Sequence, residues 1–255
     1  MATTLTGQHD HRRRFGVLIG LLVAVLAAAV VATVVLARRD RPAPWSDFTA
    51  VASDPVRRAD LIAGHVQDLY RDDRGDPLLT ITAGEDFVSD VAAPTQTVAV
   101  GADYKGAPFS FESQNILFYR LCGPADDCGF GDGADSSRQL TLASRAAWEL
   151  ALRGFKDVPE ATAVIAVMPP GFLEMSGPAD KQPDTVFYFR RDDVSAELHR
   201  RLRSTVPAPV APSKLTEKAI ERTRDALTPS LYTMRVASTS DTNGVTYELT
   251  PPPMG

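Results

Sequence analysis

Residues 136–168 read SSRQLTLASRAAWELALRGFKDVPEATAVIAVM, and their periodicity changes once along the way. Ser136 and Gln139 have the spacing of a capping box, which predicts a helix from Ser136 to about Phe155. Ala143, Ala147, Leu150 and Ala151 form one face, and Trp148, Leu152 and Phe155 widen it. A helix apolar over so much of its circumference belongs in the centre of a domain. Ala161–Met168, ATAVIAVM, is almost wholly apolar, as in a strand covered on both faces. The preceding run, Phe109–Leu121, alternates at Phe109/Phe111, falters at Ser113-Gln114-Asn115 and resumes at Ile116–Tyr119. A bulge would explain the break, as would one strand ending and another beginning. Either way, strand, helix and strand predict a βαβ crossover.

Working outward, Asp54-Pro55 predicts a helix start, with Asp54 as N-cap and Pro55 at the first helical position. The face of that helix is Ile62, Val66, Leu69 and Tyr70, with His65 beside it, and Asp72–Pro77 breaks the chain. Leu78–Ala83, Thr95–Val100 and Thr185–Phe189 read as strands. Asp193 is placed to cap a short helix with Val194, Leu198 and Leu202 inside, leaving His199, Arg200, Arg201 and Arg203 on or beside its outer side. Residues 205–212, TVPAPVAP, form an extended connector. Ser213 is expected to cap the last helix, whose face is Leu215, Ala219, Thr223 and Leu227, with Pro229 as its stop. Tyr232/Met234/Val236 and Val245/Tyr247/Leu249 alternate around Asn243-Gly244, the pattern of a β-hairpin. The expected class is α+β: a mixed sheet of about five to seven strands and about four helices, ending in that hairpin.

Ahead of this domain, Phe15–Ala37 runs 23 residues without charge or proline between Arg12-Arg13-Arg14 and Arg38-Arg39. A helix of that length spans about 34 Å, enough for a hydrocarbon core of about 30 Å. Cleavable secretory signals have shorter apolar cores and a small-x-small site, which Leu36-Ala37-Arg38 does not supply. The sequence therefore predicts a tail (1–14), an uncleaved membrane helix (15–37), a juxtamembrane linker (38–53) and a folded domain (54–255), with Trp45 near the headgroups. Gly16, Gly20, Ala24, Ala28 and Ala32 recur every fourth residue and form a ridge on which two such helices could pack. The arginines flanking the span balance, so charge sets no orientation. Two other features point the domain outward. The tail is too short to fold, and Cys122 and Cys128 enclose a turn-rich loop as a disulfide of an oxidising compartment would.

The chain carries a net charge of −5. Residues 1–41 hold six arginines against Asp10 and Asp40, which leaves −9 on the remainder. So acidic a domain repels phosphate backbones, which argues against nucleic acid as a partner. Abundant Arg, Ala and Val suit a bacterial protein of high genomic GC content.

Chemistry is sparse. The soluble part has two histidines, His65 and His199, and no G-x-S-x-G, H-E-x-x-H, P-loop or dinucleotide fingerprint. No catalytic residue, cofactor or metal site is expected. The tail histidines, His9 and His11, read as solvated. Asp126, Asp127, Asp132 and Asp135 lack the spacing of a calcium loop. A disulfide leads over free thiols or a metal at Cys122 and Cys128, because two cysteines without further ligands cannot complete a zinc site. These features predict a single-pass membrane protein whose extracytoplasmic domain binds another component of the bacterial envelope, a protein above all. An envelope hydrolase built on scattered carboxylates or His65/His199 would need those groups to converge in a deep pocket. A small-ligand sensor would need an apolar cavity of a few hundred Å³.

Overall fold

A computed structural model of the chain describes residues 46–84, 96–101, 109–112, 115–130, 136–172, 183–239 and 244–252. The chain divides at Trp45/Ser46 into two units, and the description that follows is of the second, Ser46–Gly255. The membrane helix expected at 15–37, the ridge of small residues expected on it, Trp45 and the tail histidines lie outside the described residues. Among the described residues no helix is long and apolar enough to cross a membrane.

The class is mixed α+β, and the described residues form five α-helices and one sheet of eight strands, one more than the upper end of the expected range. Helix α1 is Pro55–Leu69, followed by β1 Thr80–Ala83, β2 Gln96–Val100, β3 Phe109–Glu112 and β4 Ile116–Cys122. Helix α2, Ser136–Asp157, leads to β5 Ala163–Val167 and β6 Asp184–Arg190. Two single-turn helices follow, α3 Ser195–Leu198 and α4 Leu202–Thr205. Helix α5 is Glu217–Leu227, and β7 Leu231–Thr239 and β8 Gly244–Thr250 close the chain. The break at residues 113–115 is a change of strand, not a bulge.

Strand order is β1-β4-β5-β6-β7-β8-β2-β3. β4 and β5 pair in parallel with α2 between them, so the crossover expected from the sequence is present. β2 and β8 form the other parallel pair, and the rest are antiparallel. This order has a geometric consequence. β3 is an edge strand, β4 is six places away from it, and a flat sheet would set them about 29 Å apart. Glu112 and Ile116 are joined by only four peptide steps, which reach at most about 15 Å. The sheet must therefore curl. The ring of Phe118 on β4 lies 4.9 Å from that of Tyr247 on β8, with three strands between them along the sheet.

Curling gives the domain two apolar layers. Inside the curl lie Val98, Phe118, Ile165, Tyr188, Met234 and Tyr247, all buried. Outside it, α2 presses on β4 and β5. A Cβ added at Gly154 would stand 3.0 Å from Leu117 Cδ1, so only glycine lets the helix come this close without a shift in its neighbours. β5 sits between the layers and is buried at every position, as its unbroken apolar run implies. α1 packs on β1 and α2, and α5 packs on α2. Each large side chain enclosed here, Phe155 and Leu150 among them, contributes about 1.5–3 kcal/mol.

Several local expectations hold and others need correction. Asp54 caps α1, its carboxylate accepting from the backbone of Val56 and Arg57. Asp193 does not cap α3: Val194 occupies that position, with no side-chain cap. Thr216, not Ser213, precedes α5. Ser213 lies in a 3-10 turn instead, where its backbone N–H and hydroxyl donate to Asp73. The final hairpin forms with Thr239 opposite Gly244, so its connection is residues 240–243 rather than a two-residue Asn-Gly turn.

Candidate functional site

Arg145, Glu149 and Arg153 recur every fourth residue of α2, which stacks them along one stripe of the helix. All three are buried, Glu149 completely. A buried carboxylate is stable only if its lone pairs are satisfied. Oε1 of Glu149 accepts from Arg153 (Nε 2.9 Å, Nη2 2.8 Å) and from Arg203 Nη2 at 2.9 Å. Oε2 accepts from Arg203 Nη1 at 2.8 Å and from the Tyr70 hydroxyl at 3.3 Å. Burial, and then the negative charge of Glu149, push the Tyr70 hydroxyl well above its ordinary pKa, so it stays a donor. Arg145 reaches the other way, donating to Thr223 Oγ1 at 2.9 Å and the Ala219 carbonyl at 3.1 Å, and fastens α5.

This cluster holds the first described segment, Ser46–Ala50. Arg153 Nη1 donates to Ser46 Oγ at 2.8 Å, and its guanidinium lies 5.4 Å from the centre of the Phe48 ring. Phe48 stacks on His65 at 3.9 Å, and the Ala50 N–H donates to the Asp157 carboxylate at 3.0 Å. Of the stretch read as linker, Ser46–Ala50 thus packs on the helix layer. Burial lowers the His65 pKa, and Arg153 lowers it further. Burial raises that of Asp157.

The chemistry open to the cluster is limited. With five donors around it, the Glu149 carboxylate has no lone pair left to take a proton from a substrate or water. It serves as a clasp. Arg203, read from the sequence as part of an outer basic face, is exposed and also reaches Glu149 to complete it.

The other residues singled out in the sequence are dispersed. His199 is exposed in the turn after α3, its Nδ1 2.6 Å from the Ser195 carbonyl, while His65 belongs to α1. Cys122 and Cys128 form a disulfide across a loop whose backbone is pinned by Gly123 N–H to Cys128 O at 2.8 Å. Within that loop the Asp127 carboxylate is occupied by the Gly129 N–H at 3.0 Å. Among the described residues no group of His, Cys, Asp and Glu is arranged to hold a metal ion. Asp132 and Asp135 lie outside the described residues.

Two cavities lie among the described residues, apart from the clasp. One, of about 310 Å³, lies between the N-terminal half of α2, the end of α5, β6 and the start of β7; Leu140, Phe172, Phe187, Leu227 and Leu231 line it. The second, of about 360 Å³, lies beside Tyr188, Tyr232, Arg190 and Asp193. Burial pushes the Tyr188 hydroxyl up to about 12. Neither histidine lines either cavity. The one sequence signal for the clasp is the four-residue recurrence of charge on a helix otherwise apolar nearly all round. The chain matches no protein-family model, no curated protein and no solved structure.

Proposed function

We propose that this chain is a single-pass membrane protein whose acidic domain, displayed on the extracytoplasmic side, binds another component of the bacterial envelope. One observation carries the reading. The first residues of the head, Ser46–Ala50, are clasped by buried charge on the central helix. A head that merely trailed from a flexible leash would not need them held. Self-association through Gly16, Gly20, Ala24, Ala28 and Ala32 would pair two heads.

A reporter fused to the C-terminus, active only outside the cytoplasm, tests the tether and its orientation together. An active reporter with Cys122–Cys128 oxidised in cells is the expected result; an inactive one overturns the extracytoplasmic placement. Mild crosslinking of the full chain in its membrane should retrieve one reproducible envelope protein, and retrieval of none overturns the partner. A second reading, in which the head senses a small ligand, is favoured by the cavity of about 310 Å³, which lies in the range of ligand sites.

A further inference from the structure

The cavity of about 310 Å³ is more apolar than its residue types suggest. Five hydroxyl residues help to line it, and four of those hydroxyls donate back to a carbonyl four residues earlier. Thr141 bonds to Ser137 O, Ser144 to Leu140 O, Thr223 to Ala219 O and Thr228 to Arg224 O, at 2.7–2.8 Å. Their donor capacity is spent, and what they offer a ligand is mostly methyl and methylene surface. The floor is Phe187 and Leu227, 2% exposed each. Among the described residues that line it, one carries a formal charge: Arg224, exposed on α5.

Water in such a place makes few hydrogen bonds and is displaced at a gain by an apolar group. A sugar or a nucleobase would find few polar partners on the walls and would lose much of its own hydration. The rim cation adds one preference, for a negative head. Size follows from comparison: a cavity of about 150 Å³ takes a benzene ring of six carbons, so this one has room for roughly twelve heavy atoms. We infer that the cavity is a binding site for an anionic single-chain amphiphile of about ten carbons, its chain against Phe187 and Leu227 and its carboxylate or phosphate at Arg224. The inference rests on the membrane-tethered reading only for the source of the amphiphile.

Decanoate carrying a diazirine on its chain tests this directly on the full-length chain in lipid nanodiscs, with labelled peptides mapped by mass spectrometry. Labelling should concentrate in residues 137–144 and 223–231 and be competed by free decanoate, with decanol about tenfold weaker. Arg224→Glu, an exposed change, should weaken labelling about tenfold, and Ser144→Phe, which fills the cavity, should abolish it. Label confined to residues 15–37 would mean partition into bilayer and overturn the site. Equal competition by decanol, or indifference to Arg224→Glu, would overturn the anionic head. Ser144→Phe is scored alongside its circular dichroism melt, and the charge reversal carries the test if that variant does not fold. The C-terminal reporter judges the tether independently, because labelling of the cavity does not depend on the side of the membrane.

Discussion

The guanidinium of Arg203 grips both carboxylate oxygens of Glu149, at 2.8 and 2.9 Å, across 54 residues of chain. Two planar groups meeting edge to edge form the strongest geometry an ion pair has. Here the carboxylate is fully buried while Arg203 retains 38% of its side-chain exposure. The asymmetry predicts unequal mutants. Glu149→Ala leaves Arg153 buried without its counter-charge and should cost about 3–5 kcal/mol. Arg203→Ala leaves Glu149 still paired with Arg153 and should cost about 1–2 kcal/mol. Urea denaturation of both variants checks the order, and equal losses would show that Arg203 is as deeply committed as Glu149.

The disulfide loop allows a second comparison. Bridging Cys122 and Cys128 removes loop entropy from the unfolded chain worth about 2 kcal/mol. Gly123 is constrained more directly, because a Cβ there would collide with the backbone carbonyl of Gly129. Gly123→Ala should therefore cost at least as much as replacing both cysteines with serine, about 2–3 kcal/mol. Cys128 sits at φ 69°, a left-handed position that side chains other than glycine tolerate at a cost of about 1–2 kcal/mol. Thermal unfolding of the two variants side by side measures the ranking.

What the sequence revealed and what it hid divide by range. Alternation at Tyr232/Met234 and Tyr247/Leu249, the apolar run at 161–168 and the Asp54-Pro55 start are local signals, and each marks a real element. The curl of the sheet is not local. It follows from β3 lying beside β2 while only four peptide steps from β4, a fact of strand order that periodicity does not encode. The clasp was half visible: Glu149 and Arg153 are i and i+4 on α2, but this spacing is equally that of an exposed helix pair. Arg203 keeps the exposure its outer position predicts, yet its guanidinium meets Glu149 from 54 residues away, a contact that helical spacing does not encode. A cavity assembled from α2, α5, β6 and β7 has no linear signature.

Acid should loosen the packing of Ser46–Ala50 on the helix layer. Burial and Arg153 hold the His65 pKa below the ordinary 6.5, with Arg203 in the same direction and Glu149 and Asp68 opposing. The unfolded chain thus binds this proton more readily than the folded one, so the contribution of His65 falls as pH drops through 6.5 and below. Asp157 works in the other direction: its raised pKa makes the folded state the better proton binder above the ordinary carboxylate value of 3.8, so its cost grows as pH rises through that window. Protection from hydrogen exchange at Phe48–Ala50, measured relative to the intrinsic rate at each pH, should fall between pH 7 and pH 5, and His65→Gln should flatten that response. An unchanged profile in the variant would assign the loosening to another group.

The curled sheet makes the sharpest energetic prediction. Phe118 and Tyr247 are both buried, and their rings meet at 4.9 Å and a 45° tilt. Each lies on a strand that its own neighbours would hold in place even in an open sheet. Only closure brings the rings together. Tyr247→Ala should cost about 3–5 kcal/mol from lost burial alone, and Phe118→Ala about the same. In a double-mutant cycle the pair should add about 0.5–1.5 kcal/mol of coupling, the value of a direct aromatic contact. Val98→Ala, at a neighbouring position on β2 that pairs with Tyr247, serves as a control for general weakening of the core. Strictly additive losses for Phe118 and Tyr247 would mean that the two halves of the sheet do not touch, and the chain between Glu112 and Ile116 would then have to be accommodated some other way.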